Sequence, residues 1–168
     1  MRRGWLIAAI LVIALVLALL GAGRFRMFSG TPPTDLGVHD GRLKPPSPTE
    51  NSVSSQARLH AESRPPASAR INPLPLRGKA EASIAQLRSV LEATEGVRIV
   101  MAAPDYLRAE ARTRWLGFVD DLEFWVDPVD GVIHLRSASR LGGRDFGANR
   151  KRIDEIRARY LGLGPKPD

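Results

Sequence analysis

The sequence predicts an α+β protein: one N-terminal transmembrane helix, then a small antiparallel sheet with two helices packed on one face. Three observations carry that expectation. Nineteen residues from Trp5 to Gly23 run without a charge. Four segments between residues 97 and 140 are β-branched or alternate apolar and polar at period two. The stretches on either side of them, 79–95 and 145–161, space their apolar residues three and four apart.

At about 1.5 Å per residue, the uncharged run spans roughly 28 Å, close to the hydrocarbon thickness of a bilayer. It lacks the polar stripe of a soluble amphipathic helix. Arg2 and Arg3 precede it, and Arg24 and Arg26 follow. A cleaved signal peptide is the rival, and the small residues Gly21-Ala22-Gly23 favour it. Against it, signal-peptide cores run to about 7–15 residues, and arginines directly after the run fit an anchor flank. Residues 1–28 are therefore expected to be an uncleaved anchor. The arginines balance, but the free amine adds charge in front and a short tail stays inside. The rest of the chain is expected outside the cytoplasm.

Residues 29–77 hold nine of the thirteen prolines and show neither strand nor helix periodicity. Such a composition cannot bury enough surface to fold by itself. A flexible linker is expected over 29–44. Pro48 to Ala57 is less repetitive than a tether needs, and Ile71 to Leu76 alternates apolar residues with Asn or Pro. Both are expected to lie along the domain as extended segments, which places the domain at 45–161 and a disordered tail at 162–168.

Within the domain, Ile84, Leu87 and Leu91 mark a helix that Gly96 stops. Val97 to Met101 is a short strand. In the next strand Leu107, Ala109, Ala111 and Thr113 share one face. Phe118, Asp120, Leu122, Phe124 and Val126 share a face in the third, and Ile133, Leu135, Ser137 and Ser139 in the fourth. Asp127-Pro128-Val129-Asp130-Gly131 has good turn chemistry. In the last helix Phe146, Asn149, Ile153, Ile156 and Tyr160 form the expected buried stripe, with Asp145 as N-cap. If Asp127 pairs with Val132 and Thr113 with Phe118, a ladder Arg108–Glu123–Arg136 crosses three strands on the outer face, each opposite-charge pair contributing roughly 0.2–1 kcal/mol.

The formal charge of +7 does not point to nucleic acid. Residues 1–77 hold ten Lys/Arg against four Asp/Glu, whereas 78–161 hold fourteen against thirteen. The foldable part is nearly neutral, and a nucleic-acid binder concentrates its charge there or on one dense arm. With no cysteine, disulfides and thiolate chemistry are excluded. His39, His60 and His134 show no metal-ligand spacing. No cofactor and no metal are expected.

The densest polar stretch, Arg136 to Arg152, covers a strand end, a glycine-containing loop and a helix start. Helix N-termini offer free amides and partial positive charge, which suit anions. Ser137, Ser139, Arg140, Arg144, Asp145, Asn149 and Arg150 are the candidate ligand-binding residues. The competing expectation is an internal network. Asp120 faces inward opposite Ser139 and close to Arg140, and a buried carboxylate needs a counter-charge. Asp120, Asp121, Glu123, Arg108 and Arg136 form that expected structural network. No catalytic residue is assigned. Asp120 and Asp121 point to opposite faces, no histidine is placed near either serine, and His134 reads as a solvated strand residue.

Asn51-Ser52-Val53-Ser54-Ser55-Gln56, Phe118 to Phe124, Arg136-Ser137-Ala138-Ser139-Arg140 and Asp145 to Arg152 together resemble the family catalogued as domain of unknown function 1499. The resemblance covers roughly Pro45 to Tyr160. It implies a membrane-anchored or exported bacterial protein and makes Asn51–Ala57 part of the domain. Relatives often carry a cysteine pair near the first motif, where this chain has Pro46 and Ser52, so no cross-link or metal role of that pair operates here.

The expectation is a single span of the bacterial inner membrane with a periplasmic domain. That domain is a non-enzymatic interaction module, docking on a membrane or periplasmic partner through a face that includes Trp125 or Trp115. An anion- or lipid-headgroup-binding domain built on the Arg136–Arg140 strand end and the following helix start is the alternative. A hydrolase comes third.

Overall fold

The computed structural model describes residues 2–25 and 27–162. Arg26 and residues 163–168 of the expected tail lie outside the described residues. Helix α1 (Arg2–Arg24) carries the apolar run, and Gly4–Arg24, with a mean hydropathy of 2.9, is long and apolar enough to cross a membrane. A hairpin of β1 (Val38–His39) and β2 (Arg42–Leu43) follows, then β3 (Ser52–Ser54), single 3-10 turns between residues 57 and 69, and β4 (Leu74–Pro75). Helix α2 (Ala80–Glu92) leads into β5 (Val97–Ala102), β6 (Tyr106–Arg112), β7 (Val119–Asp127) and β8 (Val132–Ser139), and α3 (Ala148–Tyr160) closes the domain.

The long strands form an antiparallel meander in the order β8-β7-β6-β5. The short strands β3 and β4 both pair with β8, β3 along Arg136 to Ala138 and β4 along Val132 and Ile133. The sheet therefore has six strands and is larger than expected. Asp127 pairs with Val132, and the Thr113 N–H donates to the Phe118 carbonyl at 2.9 Å. Those two turns set the register in which Arg108 faces Glu123 and Glu123 faces Arg136.

One face of the sheet carries the apolar core. Leu107, Leu122, Phe124, Val126, Ile133 and Leu135 pack under Ile84, Leu87 and Leu91 of α2 and Ile153, Ile156 and Tyr160 of α3. The stripe on α3 starts at Asn149. Phe146, expected to belong to it, is 92% exposed with a left-handed φ of +54°. The reason is that the helix begins two residues later, so Phe146 sits in the preceding turn instead of one helical turn before Asn149.

The opposite face is also covered. The segment expected as a linker, 29–44, carries the β1–β2 hairpin, and Leu43 packs there with Tyr106 and Trp125. Trp125, expected on an exposed docking face, is buried in that cluster. The Arg108–Glu123–Arg136 ladder has its expected register, but Glu123 and Arg136 are buried beneath this strap. Gly37 N–H donates to Glu123 Oε1 at 2.8 Å, and Arg136 Nε donates to the Pro45 carbonyl at 3.4 Å.

Candidate functional site

Asn149 is the hub of the polar stretch. It is fully buried on the first turn of α3. Its Oδ1 accepts from the Ser137 hydroxyl and from Arg152 Nη1 at 3.2 Å. Its Nδ2 faces the Asn51 carbonyl at 3.0 Å, Ser139 Oγ at 3.0 Å and Asp145 Oδ2 at 2.8 Å. Asp145 in turn accepts from the backbone N–H groups of Gly147 and Asn149, both at 2.9 Å. The first amides of the helix, which an external anion would use, thus already have a carboxylate.

The structure brings Ser137, Ser139, Asp145 and Asn149 together, turns Arg140 away from them, and leaves Arg144 and Arg150 beside Asp145 with partners of their own. Arg140 points to the opposite face of the sheet, because it directly follows Ser139 at the end of β8 and its N–H still pairs with the Val119 carbonyl at 3.1 Å. There its Nε and Nη2 donate to Asp121, each at 2.8 Å, and Nη2 reaches Glu110 Oε1 at 2.7 Å. Hydrogen bonding to Asp121 holds the Arg140 guanidinium above its usual pKa, against the cost of burial. The expected proximity of Arg140 to Asp120 is therefore corrected: Asp120 pairs with Arg152, Nη2 to Oδ2 at 2.7 Å, on the core side. Arg144 pairs with Glu50 at 2.9 Å, and Arg150 donates to the carbonyls of Ser68 and Arg70. A shallow cavity of about 270 Å3 between Glu50, Ser68, Arg144, Asp145, Phe146 and Arg150 opens beside the hub.

On the outer face Arg98, Glu110, Arg140, Asp121 and Arg108 form a continuous chain of ion pairs. Burial pushes the Glu110 carboxyl up, but hydrogen bonds from Arg140 and Arg98 outweigh it and hold it below the ordinary glutamate value. Glu123 is served by Arg136 at 3.4 Å and by the Tyr106 hydroxyl at 2.8 Å. Burial, reinforced by the charge of Glu123, drives the Tyr106 hydroxyl far above its usual pKa. Tyr106 is thus a fixed donor.

A second locus joins the domain to α1. A Cβ on Gly23 would lie 2.8 Å from the carbonyl oxygens of Trp115 and Leu116, and one on Gly117 would lie 2.8 Å from the Gly23 carbonyl. Only glycines allow the helix end and the β6–β7 turn to approach so closely. Phe28 stacks on Phe118 with ring centroids 5.2 Å apart. Arg112 Nη1 donates to Ser29 Oγ at 3.3 Å and to the Gly117 carbonyl at 3.2 Å. Trp115 is 68% exposed with the Arg114 guanidinium 5.3 Å from its ring. An open cavity of about 970 Å3 lies between Leu20, Arg24, Arg98, Arg112, Arg114 and Trp115. The sequence shows no link between residues 23 and 117, and its one signal is a glycine at each.

A third locus holds metal-type donors. Asp127, Asp130 and His134 bring one donor atom each to within 4.8 Å of the others. His134, expected to be solvated, is buried and stacked on Trp125 with centroids 5.9 Å apart.

Fold and sites together define an α+β domain with an internally bonded motif cluster, preceded by one apolar helix of membrane-crossing length. The profile of the family described as protein of unknown function (DUF1499) matches residues 42–160. That is well over half of the chain, which belongs to this family. No curated protein matches it.

Proposed function

We propose that this is a single-pass protein of the bacterial inner membrane whose periplasmic DUF1499 domain is a non-enzymatic interaction module working against the bilayer surface. The observation that carries this is the seat of the β6–β7 turn on the end of α1. Trp115 and Arg114 stand beside the end of the apolar helix, and Trp and Arg side chains favour the level at which such a helix leaves the hydrocarbon. The motif residues support a structural role, since their polar atoms are spent on each other around Asn149.

The anion- or headgroup-binding reading is also supported, at a different place from the Arg136–Arg140 strand end. The cavity beside the helix end collects Arg24, Arg98, Arg112 and Arg114 against one carboxylate, Glu110. That suits a phospholipid phosphate.

The chain has no cysteine, so a single introduced one can be labelled specifically. Trp115→Cys and Val129→Cys mark the two ends of β7, whose nine residues span roughly 30 Å. With spin labels in reconstituted vesicles, position 115 should be accessible to oxygen and shielded from a water-soluble nickel complex, and position 129 the reverse. Equal water exposure at both would defeat the surface-held reading. Shielding at 115 that needs anionic lipid would favour headgroup binding. A membrane-impermeant maleimide should label Val129→Cys in cells with a permeabilised outer membrane. Labelling only after full lysis would reject the periplasmic orientation.

A further inference from the structure

His134 is held from one side and open on the other. Its side chain is 8% exposed. Nδ1 lies 3.0 Å from Ser55 Oγ. That hydroxyl accepts from the Leu135 N–H at 2.9 Å and has the Leu135 carbonyl 3.3 Å away to receive its single proton. With the proton on that carbonyl, and not shared with Nδ1, Ser55 has one lone pair left for an Nδ1–H; this is the tautomer a metal bound at Nε2 would select. In this tautomer Nε2 presents a lone pair, and it is aimed between two carboxylates.

Those carboxylates stand at 3.5 Å (Asp127 Oδ2) and 3.6 Å (Asp130 Oδ2) from Nε2. Both distances are longer than an ordinary N–H···O bond, which runs to about 3.2 Å. They are close to the separation of neighbouring ligands around a small metal ion: donors about 2.0–2.2 Å from a tetrahedral zinc lie about 3.4 Å apart. The turn also aims Asp127. Its Oδ1 accepts from the N–H groups of Val129 at 2.7 Å and Asp130 at 3.1 Å, which leaves Oδ2 directed at His134.

We propose that Asp127, Asp130 and His134 form a binding site for a divalent transition-metal ion of the zinc class, with Ser55 orienting the imidazole. Two carboxylates and a neutral imidazole sum to the charge that a divalent ion cancels. Mixed N and O donors suit zinc and its neighbours over calcium or magnesium. The Ser55 contact to the far ring nitrogen is the outer-shell bond that metal-ligating histidines commonly make. Asp130 is 64% exposed, so the site opens to water, which completes the coordination. The site escapes sequence inspection because its histidine is four residues past the turn aspartate, on a strand, and its orienting serine is distant in the chain. The alternative occupant is a proton, which would make the same three residues a simple ion pair.

Full-length protein in mild detergent, stripped with a chelator, would be titrated with zinc chloride against a chromophoric competitor, with the thermal midpoint as second readout. The expected result is one saturable equivalent that raises the midpoint. Asp130→Asn, at an exposed position, should leave the chain folded and weaken zinc binding at least about tenfold, and Ser55→Ala should weaken it about 10–100-fold. No saturable equivalent, or zinc affinity unchanged in Asp130→Asn, would overturn the site and leave the ion pair.

Discussion

The two faces of the sheet are built from different materials under different covers. The core face is apolar and lies under α2 and α3, whose residues come from two regular amphipathic segments. The outer face carries Arg108, Glu110, Asp121, Glu123, Arg136 and Arg140, and its Glu123–Arg136 part lies under a strap from Gly37 to Pro45 that holds the short β1–β2 hairpin. Burial on the core face is driven by loss of apolar surface from water and tolerates approximate geometry. Burial on the outer face demands that every charge find a partner, because an uncompensated buried charge costs several kcal/mol. The first face is a general-purpose core, and the second holds only if strap and strands meet in one register.

Three experiments probe that contrast. The strongest loss is expected on the core face, where Phe124→Ala should lower unfolding free energy by about 3–5 kcal/mol, read by chemical denaturation of the detergent-solubilised chain. A loss below about 1 kcal/mol would mean that the core face is not the main source of stability. Next is the outer face. Arg136→Met keeps the unbranched apolar stem of the side chain but strips Glu123 of its counter-charge, and should cost about 3 kcal/mol. Adding Glu123→Gln should recover most of that loss. A double variant as unstable as the single one would show that the strap, and not charge pairing, stabilises this face.

The mildest effect concerns acid. Glu110 titrates below its ordinary value in the folded chain because Arg140 and Arg98 hydrogen-bond its charged form. A depressed folded value contributes stability that is fully present above the unfolded value of about 4.3 and is lost as pH falls through the folded one. Stability of the wild-type chain should therefore fall below about pH 4.3 more steeply than that of Glu110→Gln. Identical slopes would remove Glu110 from the network.

Much of the core face is legible in local pattern. The turns at 113–118 and 127–132 set a register in which side chains alternate strictly, so Arg108–Glu123–Arg136 follows from those turns and the period of two. The same alternation separates Asp120 from Asp121, although it does not reveal that Arg152 on α3 serves the first and Arg140 the second. Phe146 misleads because it precedes Asn149 by three residues and Ile153 by seven, a helical spacing that breaks only because the turn at Asp145 delays the helix. Trp125 and His134 face outward, as their parity on the strands requires. No local pattern announces the strap above them, whose Gly37 meets Glu123 from 86 positions earlier in the chain.

Periodicity and contiguous motifs were enough to establish the apolar helix, the two amphipathic helices, the pairing of the long strands and the family. Each of these rests on neighbours in the chain or on a repeat that a short window contains. Tertiary packing alone settled what covers the charged face, how the β6–β7 turn sits on the helix end, and which donors surround His134. Those outcomes join segments distant in sequence through irregular backbone and single hydrogen bonds, and neither leaves a period in the chain.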